Sequence, residues 1–194
     1  NPKVPRPYKA PLPLFVLALV TAAAAMALSV HAPCILALLG RSPHPEQEPE
    51  WLKGLNEEAQ IKQAILHHLP SDAPPTPKTI ENEYRQRMAN REILNTFDFF
   101  AQKGVRARYY RVDVRDAQAV AQAITTIRRE LGPIKALIHG AGVLQDRLIV
   151  EKTTEQFQNV YTTKIDGLHA LLAAMQGDDP SYLVLFSSIS ARMG

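Results

Sequence analysis

Cysteine occurs once in this chain, at Cys34. A lone thiol forms no intramolecular disulfide and builds no zinc cluster, so no metal site is expected and a reducing, cytoplasmic setting suits the composition. Neither sign of charge prevails: 22 lysines and arginines against 19 acids leave a formal net charge of +3. The basic residues are mixed with acids along helical stretches, which describes a solvated surface rather than a nucleic-acid patch. Glycine is scarce, at 9 residues, with none before Gly40. The chain opens on Asn1 rather than methionine, so a fragment or a processed product is expected. Its 194 residues are enough to bury one core.

One long apolar run is present. Residues 12–30 (LPLFVLALVTAAAAMALSV) carry no charge and follow Lys3, Arg6 and Lys9. A basic start before an apolar stretch describes a secretory signal, and the length approaches that of a membrane helix. The competing reading is a buried first strand over 14–20, leading through Thr21 into an alanine-rich buried helix. The rest of the chain favours the second, because everything downstream alternates strand and helix and such a fold needs a first βα unit. A membrane partner is not expected.

Residues 1–13 are proline-rich and read as an extended linker. Strands are expected over 35–39, 108–112, 134–139 and 182–187. A helix is expected over 51–69, with Leu52, Leu55, Ala59 and Leu66 on its apolar face. A longer one is expected over 79–103, with Ile80, Tyr84, Met88, Leu94, Phe97 and Ala101 inward. The segment around these two helices, 43–95, reads as a helical insertion with a mostly solvated surface. Asp116 is placed to cap a helix whose buried stripe is Val120, Ile124, Ile127 and Leu131, stopped at Gly132. Thr153 and Gln156 make a capping box. The helix they open carries Phe157, Tyr161, Leu168, Leu171 and Met175 as its buried stripe. This alternation predicts an α/β fold, a Rossmann-like doubly wound parallel sheet with the insertion after its second strand.

In an open parallel sheet, ligands bind beyond the carboxyl ends of the strands. Arg41 follows the second strand, where an arginine suits a 2′-phosphate and an acid would suit a ribose hydroxyl; otherwise it is an exposed turn arginine. Asp113 follows the third strand and either accepts from an adenine amino group or only starts a turn. Gly140 and Gly142 follow the fourth and permit close backbone approach, as in any strand-to-loop turn. Lys164 shares the apolar stripe with Tyr161 and Leu168, so its ammonium snorkels, pairs or does chemistry. Ser188 follows the fifth strand as a turn residue or a hydrogen-bond donor.

Five blocks carry a family resemblance: LLGRS (38–42), VDV (112–114), ALIHGAGVLQDRLI (136–149), VYTTKIDGLHALL (160–172) and VLFSSISARMG (184–194). Together they resemble the ketoreductase domain of modular polyketide synthases and polyunsaturated fatty acid synthases, within the short-chain dehydrogenase/reductase superfamily. The resemblance runs from about residue 35 to the end. The resemblance implies NADPH-dependent reduction of a β-ketoacyl thioester, of the 3-oxoacyl carrier-protein reductase type. The substrate would ride on the phosphopantetheine of an acyl carrier protein, among the other domains of a synthase. It implies Lys164 and Ser188 as catalytic residues. It also implies Arg41 and Ser42 at the 2′-phosphate, Asp113 and Val114 at the adenine, Gly140, Ala141 and Gly142 at the nicotinamide ribose, and Thr21 at the loop after strand one.

Two departures from the pattern are visible. The family's proton-donating tyrosine follows the serine at a place past Gly194, so residues 1–194 alone are expected to be inactive. The family's glycine-rich loop after strand one is replaced by Thr21 and four alanines, whose methyls crowd a phosphate and disfavour positive-φ turns. A local reading-frame shift or a degenerate copy would each produce that. A non-catalytic, bracing Rossmann-like module of a synthase is the alternative function; Lys164 together with Ser188 argues against it.

Overall fold

The computed structural model describes residues 12–16, 23–27, 29, 34–69 and 75–187. The chain divides into two compact units, one of Asn1–Arg41 with Phe99–Gly194 and one of Ser42–Asp98.

The first unit is built on a five-stranded parallel sheet in the order β3-β2-β1-β4-β5. Its strands are β1 (Leu12–Val16), β2 (Cys34–Gly40), β3 (Arg106–Arg111), β4 (Ala136–His139) and β5 (Tyr182–Leu185). Phe15 of β1 pairs with Ala37 of β2 on one side and Leu137 of β4 on the other. The strand order therefore reverses at β1, and in such sheets the ligand crevice lies at that reversal. The α/β, Rossmann-like expectation is met.

Several boundaries differ from expectation. β1 begins earlier than residue 14, inside the stretch read as linker, and residues 17–22 lie outside the described residues. β3 is displaced toward the N-terminus, because Arg106 and Arg108, poor strand predictors, pair with Ile35 and Ala37; tertiary pairing overrides propensity here. The alanine-rich helix α1 (residues 23–27) is not buried all round. Ala25 and Ser29, one turn apart, are buried, whereas Ala23 and Ala27 are exposed.

Helix α4 (Ala117–Leu131) follows its sequence closely. The Asp116 carboxylate accepts from the backbone of Gln118 and Ala119, and Val120, Ile124, Ile127 and Leu131 are all buried. They join Ala37, Leu39, Val112, Leu137 and Leu171 in one apolar cluster. Leu36 and Leu38 alternate with Ala37 and Leu39 along β2 and are buried on the opposite face. Beyond α4, the Arg128 guanidinium donates to Asp178 Oδ2 at 2.6 Å and to the Ala174 carbonyl at 2.8 Å. Asp178 also accepts from the Ile134 amide at 3.0 Å. The entrance to β4 is thus pinned to the chain just after the last helix.

That helix is continuous but changes character. α5 (Thr154–Tyr161) opens on the expected Thr153–Gln156 capping box, a π turn occupies Thr162–Asp166, and α6 (Gly167–Ala174) follows. Leu171 and Met175 are buried as expected, but Phe157 and Tyr161 are 57% and 48% exposed and stack on each other. The π turn is the reason. A wider turn holds more residues, so the apolar stripe before it no longer lines up with the stripe after it. β5 differs as well. It ends at Leu185, short of Ser187, and all four of its residues are exposed.

The second unit has a small core of its own. Leu52, Ile61 and Ile65 are buried, with Trp51, Leu55, Ile80, Tyr84 and Met88 packed around them. The expected helix over 51–69 is broken: a 3-10 turn (Glu50–Leu52) precedes Gly54 at φ 79, and α2 (Glu58–His68) starts afresh. The restart resets the helical phase, so Ile61 and Ile65 face inward in place of Ala59 and Leu66. Helix α3 (Pro77–Gln102) supplies Arg91, whose guanidinium donates to Glu48 and to the Leu55 carbonyl. In its last turns Phe100 is buried and Ala101 exposed, the reverse of the expected stripe.

Candidate active site

Two strand ends and one helix turn converge through three hydrogen bonds. His139, the last residue of β4, is 2% exposed. Its Nε2 lies 2.8 Å from the Lys164 carbonyl oxygen. A carbonyl only accepts, so Nε2 carries a proton, and burial of the ring disfavours a second proton on Nδ1. Burial pushes the His139 pKa down, the Lys164 ammonium adds to that, and the hydrogen bond to the Lys164 backbone opposes it. Lys164 Nζ in turn donates to the Phe186 carbonyl at 2.8 Å. The Phe186 amide donates to the His139 carbonyl at 2.9 Å.

Lys164 lies in the π turn and is half-buried, with Thr163 buried beside it. Irregular turns of this kind interrupt the regular backbone ladder and are frequent at functional sites. The Thr163 hydroxyl donates to the Asn159 carbonyl at 2.7 Å. A side chain added at Gly142 would meet only Lys164 Cε, at 3.9 Å, so the loop after β4 lies open alongside the lysine stem.

The other expected contacts occupy the neighbouring strand ends. Arg41 follows β2, is exposed, and makes no ion pair among the described residues. Ser42 is half-buried. Asp113, after β3, is held by Arg115, whose Nη2 lies 2.6 Å from Oδ2. That hydrogen bond keeps the Asp113 carboxyl below its usual range, opposed in part by desolvation. Arg115 also donates to Asn159 at 2.8 Å, joining the end of β3 to α5. Val114 is 3% exposed, and a Cβ at Gly167 would come within 2.7 Å of its Cγ2. Its side chain is therefore committed to the core. Ala141, 7% exposed, is placed in the same way. Gly140 is half-buried at the mouth of β4. Thr21 and Ser188 lie outside the described residues, so the pairing of Ser188 with Lys164 is untouched by these distances.

Three residues near these strand ends were not singled out from sequence, and two of them, His139 and Phe186, take part in the hydrogen-bonded ring. Phe186 acts through its carbonyl, which no side-chain pattern announces. Gln145 has a buried Oε1 without a hydrogen-bond partner among the described residues, as does His139 at Nδ1. His139 did leave a signal: an ionisable residue closing a strand whose other residues are apolar. Among the described residues no His, Cys, Asp or Glu cluster could hold a metal ion, and no helix is long and apolar enough to cross a membrane.

The KR domain model matches residues 83–194, more than half of the chain. A polyunsaturated fatty acid synthase polypeptide of Thraustochytrium sp. (strain ATCC 26185 / S-3) is 32% identical over 164 residues, covering 81% of this chain and 6% of that protein. Polyketide synthase PksN of Bacillus subtilis (strain 168) is 34% identical over 93 residues, covering 48% of this chain and 2% of that protein. This chain thus spans a small part of the length of the curated relatives it matches. Among solved structures, an N-terminal ketoreductase from the macrolactin assembly line superposes with a TM-score of 0.68 at 20% identity, over 95% of this chain and 30% of that one. A carveol dehydrogenase from Mycobacterium avium in complex with NAD gives 0.63 at 17% identity, over 95% and 57%. With the sheet order, the strand-end residues and these matches together, the chain belongs to the KR domain family, the ketoreductases of short-chain dehydrogenase/reductase fold found in polyketide and polyunsaturated fatty acid synthases.

Proposed function

We propose that this chain contributes the site at which a synthase reduces a β-ketoacyl thioester, carried on an acyl carrier protein, to the β-hydroxyacyl form with NADPH, in the cytoplasm. The observation that carries the reading is the Lys164 ammonium at the carboxyl ends of parallel strands, 2.8 Å from the Phe186 carbonyl and beside the open loop at Gly142.

The residues after β2, β3 and β4 suit the cofactor, whereas the alanines after Thr21 stand where the family has glycines and crowd a phosphate. Arg41 offers a planar donor fork, free of ion pairs among the described residues, for a 2′-phosphate. The backbone of Asp113–Val114 offers an edge for adenine, and Gly140 to Gly142 an approachable surface for the nicotinamide ribose. When bound, NADPH supplies the hydride. The chain's own residues handle what the hydride leaves behind. As the ketone carbon accepts the hydride, its oxygen gains negative charge, which Ser188 stabilises by donating a hydrogen bond. Lys164 holds a positive charge next to the place where a proton is delivered to that oxygen, which lowers the pKa of the delivering group.

Turnover is measured on the synthase polypeptide that carries this chain, by NADPH consumption with a β-ketoacyl thioester. Lys164→Ala is expected to lower kcat/KM by about a hundredfold or more. Arg41→Ala is expected to weaken NADPH by about tenfold and to leave NADH unchanged. Equal turnover in wild type and Lys164→Ala would overturn the reading.

A further inference from the structure

The ring of hydrogen bonds among His139, Lys164 and Phe186 has a member with no assigned task. An imidazole that is 2% exposed is a poor way to fill a core. A leucine would fill the space without leaving Nδ1 unpartnered, as His139 does among the described residues. What the imidazole supplies is one donor, Nε2–H, aimed at the Lys164 carbonyl at 2.8 Å.

That carbonyl belongs to a π turn, Thr162–Asp166. Such a turn departs from the regular i to i+4 ladder, and a donor from outside the helix can hold it in place. The donor here stands on β4, whose terminal carbonyl is also bonded by the Phe186 amide. Phe186 is the group that receives the lysine ammonium. The backbone of one lysine is therefore referred to the end of β4 and its side chain to the residue just past β5, which is itself bonded to the end of β4.

We infer that His139 is a positioning residue for Lys164: its Nε2–H fixes the carbonyl of the π turn and so fixes where the lysine ammonium stands at the strand ends. The inference deepens the proposed function, since it supplies the reason that Lys164 is presented reproducibly to a ligand. It rests on that reading only for the value of such positioning; the contact exists without it.

The test uses the folded chain and needs no turnover. Long-range proton–nitrogen spectra of the imidazole rings, with His139 assigned by the signal lost in His139→Gln, are expected to show a neutral ring protonated at Nε2. A ring protonated at Nδ1 alone would overturn the inference. Acylation by acetic anhydride, read by mass spectrometry, then reports Lys164 against exposed Lys152 in the same sample. His139→Phe fills the volume without a donor and is expected to raise the relative labelling of Lys164 about fivefold, the population shift one net hydrogen bond controls. His139→Gln keeps an amide donor in the Nε2 place and is expected to return labelling close to wild type. If His139 only filled space, the order would reverse, with Phe tolerated and Gln disruptive; that order, or no change in either variant, overturns the inference. Should His139→Phe fail to fold, the wild-type ring spectrum and His139→Gln still decide. A correct labelling pattern with no NADPH turnover in the synthase would defeat the proposed reaction alone. Labelling indifferent to His139 would defeat the positioning role alone.

Discussion

At the scale of single residues, the candidate site is marked by side chains whose environment contradicts their type. Lys164 was expected on an apolar stripe with Tyr161 and Leu168, where snorkelling, pairing and chemistry stayed open until the family resemblance chose among them, and Tyr161 proves 48% exposed. His139 was not separable from an ordinary strand-end residue, nor Gln145 from an ordinary loop residue, because what marks them is a buried atom lacking a partner among the described residues, and that depends on what the rest of the chain brings near. The burial of His139 has a thermodynamic consequence. Its pKa is lowered on folding from the ordinary value of 6.5. Below that value the unfolded chain takes up a proton before the folded one does, so the contribution is present above pH 6.5 and is lost as pH falls. Urea denaturation followed across mildly acidic pH is therefore expected to show falling stability, and His139→Gln a shallower fall. Parallel pH profiles for the two proteins would contradict this.

At the scale of elements, capping and amphipathicity were legible where one helix meets one sheet face. α4 is the clearest case: its Asp116 cap and its four buried residues stand where periodicity places them. The same method misplaced the first half of the α5–π–α6 helix. Periodicity assumes a constant turn, and each residue added to a turn rotates the following stripe by about 100°. Just after the π turn, Gly167 packs closely on Val114. Gly167→Ala would put a methyl within 2.7 Å of Val114 Cγ2. It is expected to cost about 1–2 kcal/mol through overpacking, despite the better helix propensity of alanine. Adding Val114→Ala is expected to relieve the clash, so that the double variant is less destabilised than the sum of the singles. A thermal melt in which Gly167→Ala stabilises would show that the helix yields there instead.

At the scale of the whole molecule, the described residues include one apolar cluster around α4 and the sheet and another around Leu52, Ile61 and Ile65. The single tryptophan, Trp51, packs on the second cluster and stacks on His68 at 4.4 Å. Its fluorescence therefore reports the Ser42–Asp98 unit, whereas far-ultraviolet circular dichroism weighs both. Multi-unit chains depart from two-state unfolding, so the two probes are expected to give non-coincident urea transitions. Ile61→Ala is expected to move the fluorescence transition by about 2–4 kcal/mol and the dichroism transition by less. Coincident transitions that shift together in the variant would show a single cooperative unit. The insertion was legible in sequence as an unusually long connection after the second strand. That it carries a core of its own was not, because the residues closing that core come from both sides of a proline-rich break.

What the sequence by itself determined is the alternation of strands and helices, the caps, and the order of Gly, Asp, Arg and Lys at the strand ends, since each depends on local periodicity or on a short motif. What only the tertiary structure decided is which faces are covered and which atoms meet. The apolar run of β5 stands exposed at the edge of the sheet. The π turn rotates one stripe out of line, and a histidine, a lysine and a backbone carbonyl far apart in the chain close into one ring. Burial and hydrogen bonding are properties of neighbours in space, and a one-dimensional pattern constrains those neighbours only where the intervening geometry is regular.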